Sequence, residues 1–243
     1  MQIITTKQYK LDKSVGHGVL TAGIQLAPAR EAAAVLQRPD LPTVCPFSGA
    51  CVAGCLKYTG MNQLPTHALA RAKRTAMYWD EPEAFFAQVI HELHAVERKA
   101  ERLGLAFAIR PNALQDLPPL ADRIARAFPG AHVYDYTKIP SPWTRTRKRP
   151  NYTLAYSVSE RSTGRQIRAC VDHGINCAVV FDTRKGEPLP ATYTLAGRTL
   201  PVVDGDVSDL VYTYPAGVWI GLRWKGSRAR LAEGLEAGWV RPA

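Results

Sequence analysis

The chain has 243 residues, 46% of them hydrophobic, so it can bury a sizeable core without a framework of disulfides. Its 31 lysines and arginines exceed its 21 aspartates and glutamates, and the resulting net charge of +10 favours a polyanionic partner. No apolar run approaches the roughly 18 residues of a membrane span, and no secretory signal follows Met1, so we expect a cytoplasmic protein with no membrane partner.

A cysteine-rich segment follows the first predicted strand, which covers residues 18–26. Cys45, Cys51 and Cys55 have the spacing Cys-x5-Cys-x3-Cys, on a stretch rich in glycine and alanine that can fold tightly around an ion or cluster. Three thiolates can hold an iron–sulfur cluster with one open position. They can also bind zinc with a fourth ligand such as His67, or remain plain thiols.

The next elements are two helices and then alternating strands and helices. Helix formers dominate residues 65–104, with a break near Pro82 where Asp80 is placed to cap the second helix. Beyond them we predict strands at 105–110, 132–136, 153–158, 176–181, 200–203 and 218–222, and helices at 120–128 and 165–173. This alternation predicts an α/β fold, a single domain over residues 1–243 that forms an irregular or partial (β/α) barrel with mostly parallel strands. An open doubly wound sheet is the alternative.

Polar residues at the ends of these strands are the candidate active-site groups, because the carboxyl ends of parallel strands meet at one face. The candidate catalytic residues are Arg110, Asp135, Lys138 and Asp204, and the candidate substrate-binding residues are Asn112, Ser157 and Glu160. Asp135 fits a general base but also a residue that caps the following turn. A buried Arg110 needs an anionic ligand or an ion pair with an acid such as Asp135. Asp204 fits either a cation-binding cluster or ordinary turn chemistry.

Two basic segments that contain tryptophan are candidate nucleic-acid contacts. Residues 138–150 contain three prolines, which predict an exposed loop without regular helix. Cations and indole rings together are typical of single-strand binding, although a solvated surface loop has the same composition. The candidate residues are Trp143, Arg145, Arg147, Lys148 and Arg149 in the first segment, and Arg223 and Lys225 in the second.

Several short motifs together resemble the phage gene product 88 family. They include Leu26-Ala27-Pro28-Ala29, Arg110-x-Asn112, Tyr134-Asp135-Tyr136-Thr137-Lys138, Ser157-x-Ser159-Glu160 and Val203-Asp204-Gly205-Asp206. The resemblance implies a phage or prophage origin, a location in the host cytoplasm and a shared site at the motif positions. More distantly the chain is similar to radical SAM enzymes, which are partial barrels with three cluster-binding cysteines after the first strand. Their typical spacing, Cys-x3-Cys-x2-Cys, differs from the one found here.

These observations lead to one main hypothesis and two alternatives. The main one is a phage iron–sulfur enzyme that modifies nucleic acid or a nucleotide. Its cluster is held by the three cysteines. If the open iron position binds S-adenosylmethionine, the cluster supplies an electron for radical chemistry, and Arg110, Asp135 and Lys138 position the substrate. The first alternative is base exchange of the deazaguanine-transglycosylase kind, in which Asp135 or Asp204 attacks the sugar carbon. The second is a non-catalytic nucleic-acid-binding protein with a structural zinc site. The sequence predicts no oligomeric state.

Overall fold

The computed structural model describes residues 1–7 and 9–243, with the side chains of Tyr9 and Lys10 left undescribed. The chain divides into two compact units. Unit 1 contains Met1–Pro46 and Gly60–Asp135, and unit 2 contains Phe47–Thr59 and Tyr136–Ala243. The single domain over residues 1–243 stays a prediction, because compactness alone does not show whether either unit folds by itself.

The described part of the chain contains short strands and helices in alternation. The strands are β1 (Ile4–Thr5), β2 (Val19–Ile24), β3 (Ala106–Arg110), β4 (His132–Thr137), β5 (Tyr152–Ser157), β6 (Cys177–Phe181), β7 (Thr192–Leu195), β8 (Arg198–Asp204), β9 (Trp219–Arg223) and β10 (Val240–Arg241). The helices are α1 (Tyr9–Asp12), α2 (Glu31–Val35), α3 (Pro65–Asp80), α4 (Pro82–Arg102), α5 (Pro118–Ala127), α6 (Trp143–Thr146), α7 (Gly164–Asp172) and α8 (Arg228–Glu236).

In unit 1, the sheet is built around β2, whose six residues are all buried. β1 pairs with β2 in the antiparallel direction, whereas β2 with β3 and β3 with β4 are parallel pairs. A strand covered on both faces reads as a nearly continuous apolar run, as β2 does. The parallel register brings Gly23 opposite Arg110, so the carboxyl ends of β2 and β3 lie at the same edge.

The two long helices of unit 1 follow their predicted pattern closely. α4 buries Phe85, Val89 and Leu93, the apolar stripe expected from their spacing. The predicted cap at Asp80 was wrong. Asp80 is the last residue of α3, and its carboxylate accepts a hydrogen bond from the Arg38 guanidinium at 2.6 Å. Glu81 precedes α4 without a capping side chain, while Pro82 supplies the preset backbone angle of a first helical turn.

In unit 2, the strand order is β5, β6, β9, β8 and β7, and β10 also pairs with β6. All these neighbours are parallel except β7 and β8, which form an antiparallel pair. The core includes Phe181 and Trp219 together with the two thiols of Cys170 and Cys177, which are buried as predicted. Helix α7 begins with a capping box formed by Thr163 and its partner Gln166.

The predicted α/β class with mostly parallel strands is confirmed. In neither unit does the strand order return to its first member, so the sheets are open, in agreement with a partial rather than a closed barrel. None of the described helices is both long enough and apolar enough to cross a membrane.

Candidate functional site

The polar site in unit 1 lies at the carboxyl ends of β3 and β4. Asn112 follows β3, and Asp135 lies near the end of the neighbouring parallel strand β4. The backbone N–H of Asn112 donates to Asp135 Oδ1 at 2.8 Å, and Asn112 Nδ2 donates to Asp135 Oδ2 at 2.9 Å. One residue therefore holds both oxygens of the carboxyl group and fixes its orientation.

The loop between β3 and α5 is itself held by side-chain bonds to the backbone. The N–H of Leu117 donates to Asn112 Oδ1 at 2.9 Å. Gln115 Nε2 donates to the carbonyl of Pro111 at 2.8 Å, and Gln115 Oε1 accepts from the N–H of Leu26 at 3.0 Å. Gln115 was missed by the sequence reasoning. The available signal was a second amide side chain in a short strand-to-helix loop.

Burial dominates the electrostatics of Asp135, which is only 1% exposed. Loss of hydration raises the pKa of the Asp135 carboxyl to about 7, although the hydrogen bonds from Asn112 and the positive charge of Arg110 act in the lowering direction. The nearby Asp116 adds a smaller raising effect. Arg110 is 5% exposed, so both charged groups lie in the interior of the unit. This carboxyl group can accept or release a proton near neutral pH.

The remaining strand-end candidates, Lys138, Ser157 and Glu160, belong to unit 2. Lys138 follows β4. Burial raises the pKa of the Cys55 thiol, and the positive charge of Lys138 acts in the lowering direction. Ser157 ends β5, where it pairs with Ala178 of β6. Glu160 accepts a hydrogen bond from the N–H of Ala50 at 3.1 Å, so it anchors the segment that contains Cys51. The substrate-binding roles of Ser157 and Glu160 stay predictions.

The three cysteines of the candidate metal site are divided between the units. Cys45 belongs to unit 1, where its thiol donates to the carbonyl of Leu114 at 3.8 Å, and Cys51 and Cys55 belong to unit 2. All three are partly exposed thiols, and burial is the main cause that raises the pKa of the Cys55 thiol. Within residues 1–7 and 9–243, no three His, Cys, Asp or Glu side chains are grouped to hold a metal ion. The iron–sulfur, zinc and S-adenosylmethionine sites therefore stay predictions.

Asp204 lies in an ion-pair cluster with residues predicted to contact nucleic acid. The parallel pairing of β8 and β9 brings these charges together. Arg223 Nη1 is 2.8 Å from an Asp204 carboxylate oxygen and 3.4 Å from Asp206, and Lys225 pairs with the other oxygen of Asp206. The cluster neutralises much of the charge of Arg223 and Lys225, which leaves them less available to phosphates.

The basic segment of residues 138–150 is not entirely a loop, because Trp143–Thr146 forms the short helix α6. The prolines do not prevent it, since Pro142 stands just before the first helical residue, where a missing N–H costs nothing. The Trp143 ring lies 4.5 Å from the His173 ring, and Arg147 approaches the same imidazole at 3.2 Å. Arg145 donates to Thr137 Oγ1 at 3.1 Å. Trp143 and Arg145 are thus engaged within unit 2.

The other two cations of this segment, Lys148 and Arg149, differ in exposure. Lys148 is exposed, whereas Arg149 is partly buried and donates to the carbonyl of Lys148 at 2.7 Å. Binding of nucleic acid by this segment stays a prediction.

Comparison with known families decides the affiliation of the chain. The sequence model of the family described as Gene product 88 matches residues 5–236, nearly the whole length. The chain belongs to the Gene product 88 family. The predicted membership in a family of phage gene products is therefore confirmed. No curated protein and no solved structure matches the chain, so the similarity to radical SAM enzymes stays a prediction.

Proposed function

We propose that this Gene product 88 protein is a phage enzyme that acts on a nucleotide or nucleic acid, with Asp135 as its acid–base group. One observation carries the proposal. A buried carboxyl group with a pKa of about 7 lies at the end of a parallel strand, oriented by Asn112 and close to Arg110. Strongly perturbed carboxyl groups are concentrated at active sites, and the carboxyl ends of parallel strands are where such sites are built.

Each residue of this trio has a distinct role in the proposal. Asp135 accepts a proton from the substrate and returns it, which is efficient because its pKa lies near the working pH. Because Asp135 is 1% exposed, the proposal requires a movement that opens its carboxyl group to the substrate. Arg110 supplies the positive charge that suits a phosphate, and the net charge of +10 favours the same class of substrate.

The proposal assigns no step to an iron–sulfur cluster or to S-adenosylmethionine. A cluster would supply electrons for radical chemistry, but the described residues present no three-ligand group that fits it. Base exchange initiated by Asp204 is also outside the proposal, because both oxygens of that carboxylate accept hydrogen bonds from Arg223 at 2.8 and 2.9 Å. An engaged carboxylate of this kind is a poor nucleophile.

The proposal names only a class of substrate, nucleotides or nucleic acid. Nucleoside analysis tests it without knowledge of the particular substrate. DNA and RNA from bacteria that express the wild type, Asp135→Asn or Asp172→Asn are digested, and their nucleosides are compared by mass spectrometry. Free nucleotides are measured in the same extracts. We expect a changed nucleoside or nucleotide in the wild type and in Asp172→Asn, an exposed-carboxylate control, but not in Asp135→Asn. Identical profiles in all three strains and in cells without the protein would refute the enzymatic proposal.

Non-catalytic binding of nucleic acid is the second candidate function. The net charge of +10 and the exposed Arg147 and Lys148 favour it. It predicts unchanged nucleosides together with an affinity for oligonucleotides that falls steeply as salt is raised. A flat dependence of affinity on salt would contradict it.

A further inference from the structure

A cluster of cations around Tyr58 in unit 2 carries the inference. Arg230 Cζ lies 3.8 Å from the centroid of the Tyr58 ring, and Lys57 Nζ lies 4.8 Å from the same centroid. The tyrosine is 41% exposed. The ring thus contacts two positively charged side chains at the surface.

Among the described residues, neither Lys57 nor Arg230 forms an ion pair with an acid, in contrast to Arg223 and Lys225, which pair with Asp204 and Asp206. Like charges brought to one ring repel each other, and the negative face of the ring offsets only part of that repulsion. An anion bound beside these two side chains would offset the rest.

The segments that carry this cluster pack closely against each other within unit 2. A Cβ atom on Gly54 would lie 2.5 Å from the Trp224 ring, so only glycine fits beneath that indole. Trp224 also packs edge-on against Trp239, with 5.7 Å between ring centroids. Ser227 caps α8 by accepting a hydrogen bond from the N–H of Arg230. The cations therefore project from closely packed segments.

We propose that these residues form a binding face for single-stranded nucleic acid. The face, which we call the Tyr58 face, consists of Lys57, Tyr58, Trp224, Arg228 and Arg230. Lys57, Arg228 and Arg230 contact phosphates, Tyr58 positions two of these cations, and the partly exposed Trp224 stacks on an unpaired base. The proposal deepens the proposed function, from which it takes the substrate class. The sequence prediction named Arg223 and Lys225, which pair with Asp204 and Asp206. The Tyr58 face instead uses Lys57, Arg228 and Arg230, for which the described part of the chain shows no ion pair with an acid.

The Tyr58 face is tested by fluorescence anisotropy over a range of KCl concentrations. The probes are labelled oligo(dT) and oligo(U), each about 20 nucleotides long. The Lys57→Gln/Arg230→Gln double variant should bind about tenfold more weakly at low salt. Each phosphate contact to a single strand contributes about 0.7 to the slope of log affinity against log salt. The loss of two contacts should therefore make the slope of the double variant shallower by about 1.4. The control Arg184→Gln/Lys185→Gln removes two exposed cations from the same unit and should change affinity by less than about twofold.

Two substitutions at Tyr58 separate its positioning role from a merely structural one. Tyr58→Phe keeps the ring and should bind like the wild type, whereas Tyr58→Ala should lose affinity and show a shallower salt slope. Circular dichroism and urea midpoints establish that each variant is folded. If the double variant fails to fold, the single Lys57→Gln variant and the Tyr58 pair carry the test.

Several results would overturn this inference. One is equal binding by the double variant and its control, and another is the absence of any oligonucleotide binding by the wild type. A 20-base-pair duplex that binds as tightly as the single strands would overturn single-strand recognition. A wild type that binds through the Tyr58 face without altering nucleosides or nucleotides would refute the proposed enzyme and leave this inference standing.

Discussion

Replacement of Asp135 by asparagine should change the pH dependence of stability. Burial raises the pKa of this carboxyl from 3.8 to about 7. At 1.36 kcal/mol per pH unit, that difference is worth about 4 kcal/mol. Because the pKa is higher in the folded state, the folded protein binds the proton more tightly. The stabilisation is fully present below about pH 4 and is lost as the pH rises through about 7.

The asparagine variant lacks this titration but carries a fixed defect. Asn112 donates to both oxygens of Asp135, so in either orientation the NH2 group of the new asparagine would oppose one of these donors, at a cost of about 1–3 kcal/mol at every pH. The stability advantage of the wild type over Asp135→Asn should therefore shrink by about 4 kcal/mol between pH 4 and pH 8.

Urea unfolding followed by tryptophan fluorescence, at half-unit steps across that range, measures this difference. The control is Asp172→Asn, which removes an exposed carboxylate paired with Arg198 at 2.8 Å. Its difference from the wild type should stay within about 1 kcal/mol at all pH values. If the free energies of unfolding of the wild type and Asp135→Asn instead differ by the same amount at every pH, the Asp135 carboxyl does not titrate as described. In that case the argument for acid–base catalysis fails.

Three further predictions concern unit 2 and the cysteines. The iron–sulfur prediction is tested on protein purified under argon: iron and sulfide that Cys51→Ala lacks would support the cluster, and a wild type without metal would contradict it. Gly54→Ala should lower stability by about 1–3 kcal/mol in urea unfolding, since its Cβ would lie 2.5 Å from a tryptophan ring. Gly130→Ala, with no atom within 4 Å of the added carbon, should not show this loss. Arg223→Gln leaves Asp204 without its guanidinium and should cost about 1–2 kcal/mol, and an unchanged urea midpoint would show that the cluster adds nothing.

The periodic elements were predictable because local patterns determine them. α3 and α4, with the break before Pro82, follow from residue spacing and proline chemistry. The two-residue strand β1 was missed, because its identity depends on pairing with β2 and on the N–H of Ile4, which donates to Glu92 at 2.7 Å. Helix α6 was missed because the prolines were counted without regard to their position before the helix.

The candidate site was predictable in part for a similar reason. Arg110, Asn112 and Asp135 follow or end predicted parallel strands, and topology alone places such positions at one edge. The hydrogen bond from Gln115 to the carbonyl of Pro111 was not predictable, since it depends on which carbonyl groups the folded loop presents. The pairing of Asp204 with Arg223 was likewise missed, because it depends on the register between β8 and β9.

The division of the chain imposes an order on folding during synthesis. Residues Phe47–Thr59 belong to unit 2, yet Gly54 packs against Trp239, about 180 residues later in the chain. At bacterial elongation rates of roughly 5–20 residues per second, this early segment leaves the ribosome roughly 10–40 seconds before its packing partner. Throughout that interval the nascent Phe47–Thr59 segment lacks its tryptophan partner, so a chaperone or an early ligand has access to it before unit 2 is complete.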